Sequence, residues 1–193
     1  MPHDWRDTLR LAADLALLGI VLTLLSLPVL TAGAAVTAGS HAIGHLLAHG
    51  RWPSFADLWR TFRGRLVSGL AAGPLVLVAA VLFTLDVAAL RRGAVPGGGP
   101  VLTVVLLIAA AAIGYLAVLA VRAATLERGA ARAALALTVA FPAAPAAAVA
   151  ILAVAAVLAV FIHPALIPVL AGYALFALHV AMPRLTRPRA VRA

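Results

Sequence analysis

Long apolar segments recur along this chain, and they constrain its fold more than any other feature. About 20 apolar residues cross the roughly 30 Å hydrocarbon core of a bilayer as an α-helix. Six segments suit such a crossing: residues 11–30, 31–48, 66–90, 101–121, 143–162 and 164–182. Glycines and histidines dilute residues 31–48, so a re-entrant or interfacial segment there, with five spans in all, is the alternative.

The composition excludes the common soluble classes of protein. Of the 193 residues, 65% are hydrophobic and 11% are charged, whereas soluble domains average about 45–50% and about 25%. A soluble fold of this size would leave large apolar patches in water, and the chain has no cysteine for a disulfide scaffold. We therefore predict an all-α, polytopic transmembrane helical bundle that forms a single integral membrane domain.

The net charge of +9 would ordinarily suggest a nucleic-acid partner, but the positions of the charges indicate membrane topology instead. With a cytoplasmic N-terminus, only Arg91 and Arg92 fall outside. The other arginines fall inside, as the positive-inside rule describes: Arg6, Arg10, Arg51, Arg60, Arg63, Arg65, Arg122, Arg128, Arg132, Arg184, Arg187, Arg189 and Arg192. We predict a bacterial inner-membrane protein with cytoplasmic N- and C-termini, a lipid partner and no nucleic acid.

Two cytoplasmic interfacial helices are predicted at residues 54–65 and 125–141. Ser54 and Asp57 have the spacing of a capping box at a helix start, and Pro142 ends the second helix. Such helices lie in the headgroup plane. Five residues of these two segments are candidates for partner binding: Trp59, Arg60, Arg63, Gly129 and Arg132.

The segment after the last predicted span, residues 183–193, is a basic tail. It carries Arg184, Arg187, Arg189 and Arg192. Each arginine near a membrane surface attracts anionic lipid by about 1 kcal/mol, so we expect this cluster to face anionic lipids.

Histidines and glycines inside the spans are further candidates. His41, His45 and His49 recur every four residues on one helical face, a spacing with which imidazoles bind metal or haem. No carboxylate stands nearby in sequence, so we favour polar packing or a proton-sensitive contact and expect no metal and no cofactor. His179 is interpreted as a residue of the membrane boundary. Gly69 and Gly73 form a small-xxx-small motif for close helix packing.

A family resemblance rests on two segments. Ser26-Leu27-Pro28-Val29-Leu30-Thr31-Ala32-Gly33 closes the first span, and Phe55-Ala56-Asp57-Leu58-Trp59-Arg60-Thr61-Phe62 follows a basic turn at Gly50-Arg51. With the order of the spans, residues 9–182 resemble the YesL-like family of bacterial membrane proteins, whose molecular function is unknown. Gly39-Ser40-His41 departs from the bulky residues common there. Because genes of the family often lie beside carbohydrate ABC importers, the resemblance implies an accessory role in sugar uptake.

The sequence has no nucleophile elbow, Walker loop, dinucleotide fingerprint or H-E-x-x-H motif. We expect a non-enzymatic accessory or scaffold protein of a membrane transport system, with ABC importer components as partners. The alternative is a small permease-like subunit coupled to an ATPase through residues 125–142. The spacing from Gly129 to Pro142 is similar to the coupling loop of ABC importer permeases, although Ala123-Ala124-Thr125 replaces the usual Glu-Ala-Ala.

Overall fold

The computed structural model describes residues 5–28, 31–92, 98–126 and 129–186, and the regular elements within them are all helical. The all-α prediction is therefore confirmed for this part of the chain. The helices are α1 Trp5–Ser26, α2 Ala32–His49, α3 Phe55–Arg91, α4 Gly98–Thr125, α5 Ala130–Ala140, α6 Ala143–Phe161 and α7 Ile167–Leu185, with a 3-10 turn at Pro164–Leu166 before α7.

The ends of the helices follow local chemistry. α1 stops at Ser26 rather than at residue 30, because the residue before Pro28 is disfavoured in the helical conformation. α2 ends at His49, and the next residue, Gly50, takes a left-handed conformation with φ 68° and donates its N–H to Leu46 O at 2.8 Å.

The boundary predicted between residues 54–65 and 66–90 does not interrupt the helix. α3 runs without a break from Phe55 to Arg91, because the apolar stripe of Leu58, Phe62 and Leu66 continues across it and packs on the core. A helix is present within the second predicted segment as α5, but it begins at Ala130 and α4 extends to Thr125; its interfacial position stays a prediction.

Four helical segments of the described residues are long and apolar enough to cross a membrane. They are Thr8–Ser26, Gly99–Thr125, Ala143–Phe161 and Pro164–Leu185. Large apolar side chains on these segments point away from the bundle, and Leu107 and Ile108 are each 64% exposed. Such an apolar exterior is compatible with a bilayer. Neither α2 nor α3 belongs to this set, so a total of six spans stays a prediction.

α2 forms the centre of the bundle, with α1, α3, α4 and α7 packed around it. Its side chains Ala35, Ala38 and Ile43 have no exposed surface. Since α2 faces protein on several sides, small residues that allow close helix approach serve it better than bulky lipid-facing ones. Its weak hydropathy thus reflects its position in the core.

Two helix crossings depend on glycine. At the crossing of α1 and α7, a β-carbon on Gly19 would collide with the carbonyl oxygen of Pro168 and lie 2.8 Å from the nitrogen of Gly172. A β-carbon on Gly114 of α4 would lie 2.8 Å from the carbonyl oxygen of Pro145 on α6. The predicted packing glycines, Gly69 and Gly73, lie on α3 where the helical backbone alone is described.

Candidate functional site

A cavity of about 460 Å³ lies between α2, α4, α5 and α7. This volume is typical of small-molecule sites, which span about 300–1,000 Å³. Five basic side chains line it: His41, His45 and His49 from α2, Arg122 from α4 and His179 from α7. Much of the remaining wall is apolar and includes Val118, Leu137 and Met182. The histidine stripe and two residues distant in sequence therefore meet at one site.

Backbone carbonyls fix the orientation of two α2 imidazoles. The Nδ1 atom of His45 lies 3.1 Å from Arg51 O, and that of His49 lies 3.2 Å from His45 O. Because a carbonyl oxygen only accepts, each Nδ1 carries the hydrogen, and Nε2 of the neutral ring carries a lone pair. The two rings stack with centroids 4.3 Å apart.

His179 is the most buried basic residue of the cavity wall, with 6% of its surface exposed. Its Nδ1 lies 2.9 Å from Leu175 O and therefore donates to it. Its Nε2 is buried and has no hydrogen-bond partner among the described residues. His179 thus lines a buried site, and its position relative to the membrane boundary stays a prediction. Buried polar atoms usually have a hydrogen-bond partner, and Nε2 of His179 is a polar atom of the cavity wall that lacks one among the described residues.

Arg122 gives the cavity a permanent positive charge. It is half-buried on the last turn of α4, and within the described part of the chain its guanidinium has no ion pair or hydrogen bond. No described acidic residue lines the cavity, and Glu127 lies outside the described residues. The carboxyl ends of α2, α4 and α7 contribute to this wall, and their partial negative charge stabilises the guanidinium of Arg122 there.

The geometry does not assemble a metal centre from the described residues. No group of three or more His, Asp or Glu side chains among them is placed to hold a metal ion. His45 and His49 stack on each other, and their Nδ1 atoms donate to backbone carbonyls. The histidines of α2 line the cavity.

The candidates for partner binding lie on the exterior. On α3, Trp59, Arg60 and Arg63 are exposed, and Arg60 pairs with Asp57 at 3.1 Å. On the other segment, Gly129 and Arg132 are exposed at the start of α5.

The basic tail is described only at its beginning. Arg184 is exposed on the last turn of α7. Arg187, Arg189 and Arg192 lie outside the described residues.

The start of α3 has the predicted cap. The Ser54 hydroxyl accepts the Asp57 N–H at 3.2 Å and donates to the Asp57 carboxylate at 2.6 Å. This hydrogen bond, helped by the charge of Arg60, holds the pKa of the Asp57 carboxyl below its ordinary value.

Two hydrogen bonds tie the first half of α1 to distant parts of the chain. Trp52 Nε1 donates to Asp14 Oδ2 at 2.9 Å, and Tyr173 OH donates to Ala12 O at 2.9 Å. The first of these bonds places the segment between α2 and α3 beside α1.

Comparison with known proteins yields no relative. No model of a protein family, no curated protein and no solved structure matches the chain. The resemblance to the YesL-like family stays a prediction, and the site is interpreted from its own residues.

Sequence reasoning assigned Arg122 to the topology signal and His179 to the membrane boundary, so it missed both as site residues. They are 57 residues apart, and packing of α4 and α7 against α2 brings them to one cavity. One feature of the sequence could have identified His179 as a site residue. It is a histidine within the last apolar segment, and polar residues in spans are costly and often functional.

Proposed function

We propose that this chain is a bacterial inner-membrane protein of six spans that serves, without catalysis, as an accessory or scaffold of a membrane transport system. In this proposal the beginning of α1 and the end of α7 face the cytoplasm. The resemblance to the YesL-like family favours carbohydrate ABC uptake as the system. The observation that carries the proposal is the exposed, mixed basic and apolar surface of α5.

The arrangement of helix ends supports the orientation. The cavity joins the carboxyl ends of α2, α4 and α7, and the bond from Trp52 to Asp14 joins the connection before α3 to the first half of α1. Together with the start of α3, these ends carry most of the arginines in the described part of the chain: Arg6, Arg10, Arg51, Arg60, Arg63, Arg65, Arg122 and Arg184. Arginines gathered at one end of a bundle favour its placement in the cytoplasm.

The exterior of α5 supports a docking role. Ala134 and Leu137 are buried against the bundle, whereas Leu135 and Val139 are 56% and 76% exposed beside the exposed Arg132. Tyr115 OH donates to Ala131 O at 3.3 Å and fastens α5 to α4. A small apolar patch next to a cation suits a cytoplasmic protein with an apolar groove and an acidic rim.

The test is co-purification from the native membrane in a mild detergent, with importer subunits identified by mass spectrometry. The wild-type chain should retain a complete importer. Arg132→Glu should lower its recovery several-fold, because it reverses the charge beside the α5 patch. The matched control is Arg92→Glu. Arg92 is an exposed arginine that directly follows the carboxyl end of α3, away from α5 in the sequence. Recovery of the wild-type chain without importer subunits would refute the proposal.

A permease-like subunit is the second candidate, and the form of α5 favours it. Gly129, with φ 75°, caps the start of α5, and Pro142 follows its end. This form suits a coupling loop with the glycine-to-proline spacing of ABC importer permeases. This candidate expects an ATPase to co-purify without a separate permease. Gly129→Val should abolish that binding, because a β-branched residue is strained at positive φ.

Orientation has a separate test, for which the absence of cysteine is an advantage. Ser54→Cys, Gly98→Cys and Ala190→Cys would be treated with a membrane-impermeant maleimide on intact cells and after permeabilisation. Gly98→Cys should react from outside, and the other two variants only after permeabilisation. Labelling of Ser54→Cys or Ala190→Cys on intact cells would overturn the orientation, as would failure of Gly98→Cys to react there.

A further inference from the structure

We propose that the cavity between α2, α4, α5 and α7 binds an anionic phosphate or carboxylate group carried on an apolar body, with Arg122 as its ion-pair partner. This site is independent of the docking role of α5, so either proposal can fail without the other.

The charge of the cavity selects an anion. The half-buried guanidinium of Arg122 has no described partner, and the other ionisable residues known to line the cavity are His41, His45, His49 and His179. A guanidinium presents a planar set of donors that fits a phosphate or carboxylate through two parallel hydrogen bonds. A cationic ligand would meet a positive charge here, and a neutral ligand would leave Arg122 without a counter-ion.

His179 provides an independent observation. Its ring lines the cavity, it is more than nine-tenths buried, and its Nε2 lacks a described partner. Since Nδ1 donates to Leu175 O, neutral Nε2 can accept the hydroxyl hydrogen of a monoprotonated phosphate. Protonated Nε2 can instead donate to an anionic oxygen. A monoprotonated phosphate therefore satisfies this atom in either protonation state, and a carboxylate satisfies it when Nε2 is protonated.

The rest of the wall selects an apolar body. Val118 and Leu137 are buried around the cavity, and Met182 adds a thioether wall that adapts to irregular shapes. A free inorganic anion would leave this surface unused. The matching chemistry occurs in two sources: the headgroup region of an anionic lipid, and a soluble amphiphilic anion.

The experiment uses the full chain in nanodiscs of phosphatidylcholine, and hexyl phosphate is the soluble probe in isothermal titration calorimetry. Wild type should bind the probe saturably. Arg122→Gln should weaken binding about tenfold or more, because a hydrogen-bonded ion pair is lost. His179→Asn keeps a donor toward Leu175 O and removes Nε2, so it should weaken binding several-fold. Arg132→Gln, an exposed arginine outside the cavity lining, is the matched control.

A second arm separates the two sources. Phosphatidic acid in the nanodisc should compete with hexyl phosphate and co-purify with wild type but not with Arg122→Gln if the ligand is a lipid. Binding of the soluble probe without such competition identifies a soluble anion.

A third variant controls for folding. Arg122→Lys keeps the charge without the planar donors and should bind the probe with intermediate affinity, which separates ligand binding from a folding defect. Absence of saturable binding to wild type in both arms would overturn the proposal. Equal binding by wild type, Arg122→Gln and Arg132→Gln would overturn it too.

Discussion

Gly172 lies where α7 approaches α1 so closely that the two backbones are in contact. A β-carbon at this position would collide with the carbonyl oxygen of Leu15 and lie 3.0 Å from the nitrogen and 3.1 Å from the α-carbon of Gly19. Ordinary contacts of a β-carbon begin near 3.4 Å. The atoms it meets are backbone, so no side chain can rotate away, and Gly172→Ala requires the two helices to separate.

The size of the effect follows from two destabilising contributions and one that opposes them. Overpacking of a tight contact costs about 1–3 kcal/mol. Replacing glycine by alanine in a helix returns about 1 kcal/mol through propensity. Separation of the helices also strains the neighbouring bond from Tyr173 OH to Ala12 O, 2.9 Å long, and such a bond contributes about 0.5–1.5 kcal/mol. Together these contributions give an expected loss of about 0.5–3.5 kcal/mol in the free energy of unfolding for Gly172→Ala.

The matched control is Gly64→Ala on α3, where an added β-carbon meets nothing within 4 Å. This variant should be as stable as wild type or slightly more stable. Both variants would be unfolded reversibly in mixed detergent micelles with tryptophan fluorescence as the probe. If Gly172→Ala unfolded at the same denaturant concentration as Gly64→Ala, the close crossing of α1 and α7 would be refuted.

Three other perturbations test separate contacts. Trp52→Phe removes the donor to Asp14 and should cost about 0.5–1.5 kcal/mol in the free energy of unfolding; in a double-mutant cycle with Asp14→Ala, which removes the acceptor, the two losses should not add. Gly114→Ala should cost about 1–3 kcal/mol at the crossing of α4 and α6, which a lowered thermal unfolding midpoint would report. Ser54→Ala should raise the pKa of Asp57 toward its ordinary value, measured by carboxyl NMR titration. Because the folded pKa is depressed, the ionised Asp57 favours the fold at neutral pH, and this contribution is lost as the pH falls through that pKa.

The elements that could be predicted were those set by local rules. Apolar length placed α4, α6 and α7, and the serine-to-aspartate spacing placed the start of α3 at the Ser54 cap. The packing of helices that are distant in the sequence could not be predicted from local rules. Gly19 and Gly172 lack the spaced partner that made Gly69 and Gly73 conspicuous, because each finds its small partner on another helix.

The cavity shows why a topology signal can conceal a binding residue. An arginine that only orients a protein needs to reach water or headgroups, and the exposed side chains of Arg132 and Arg184 are free of the core in this way. Arg122 contributes the same charge to that count, but it is half-buried in the cavity that His179 also lines, and it has no described partner. Burial without a counter-ion is costly and adds nothing to orientation. Burial therefore distinguishes Arg122 from arginines that only orient a protein. This burial results from the packing of α4 and α7 around α2, which the sequence alone does not reveal.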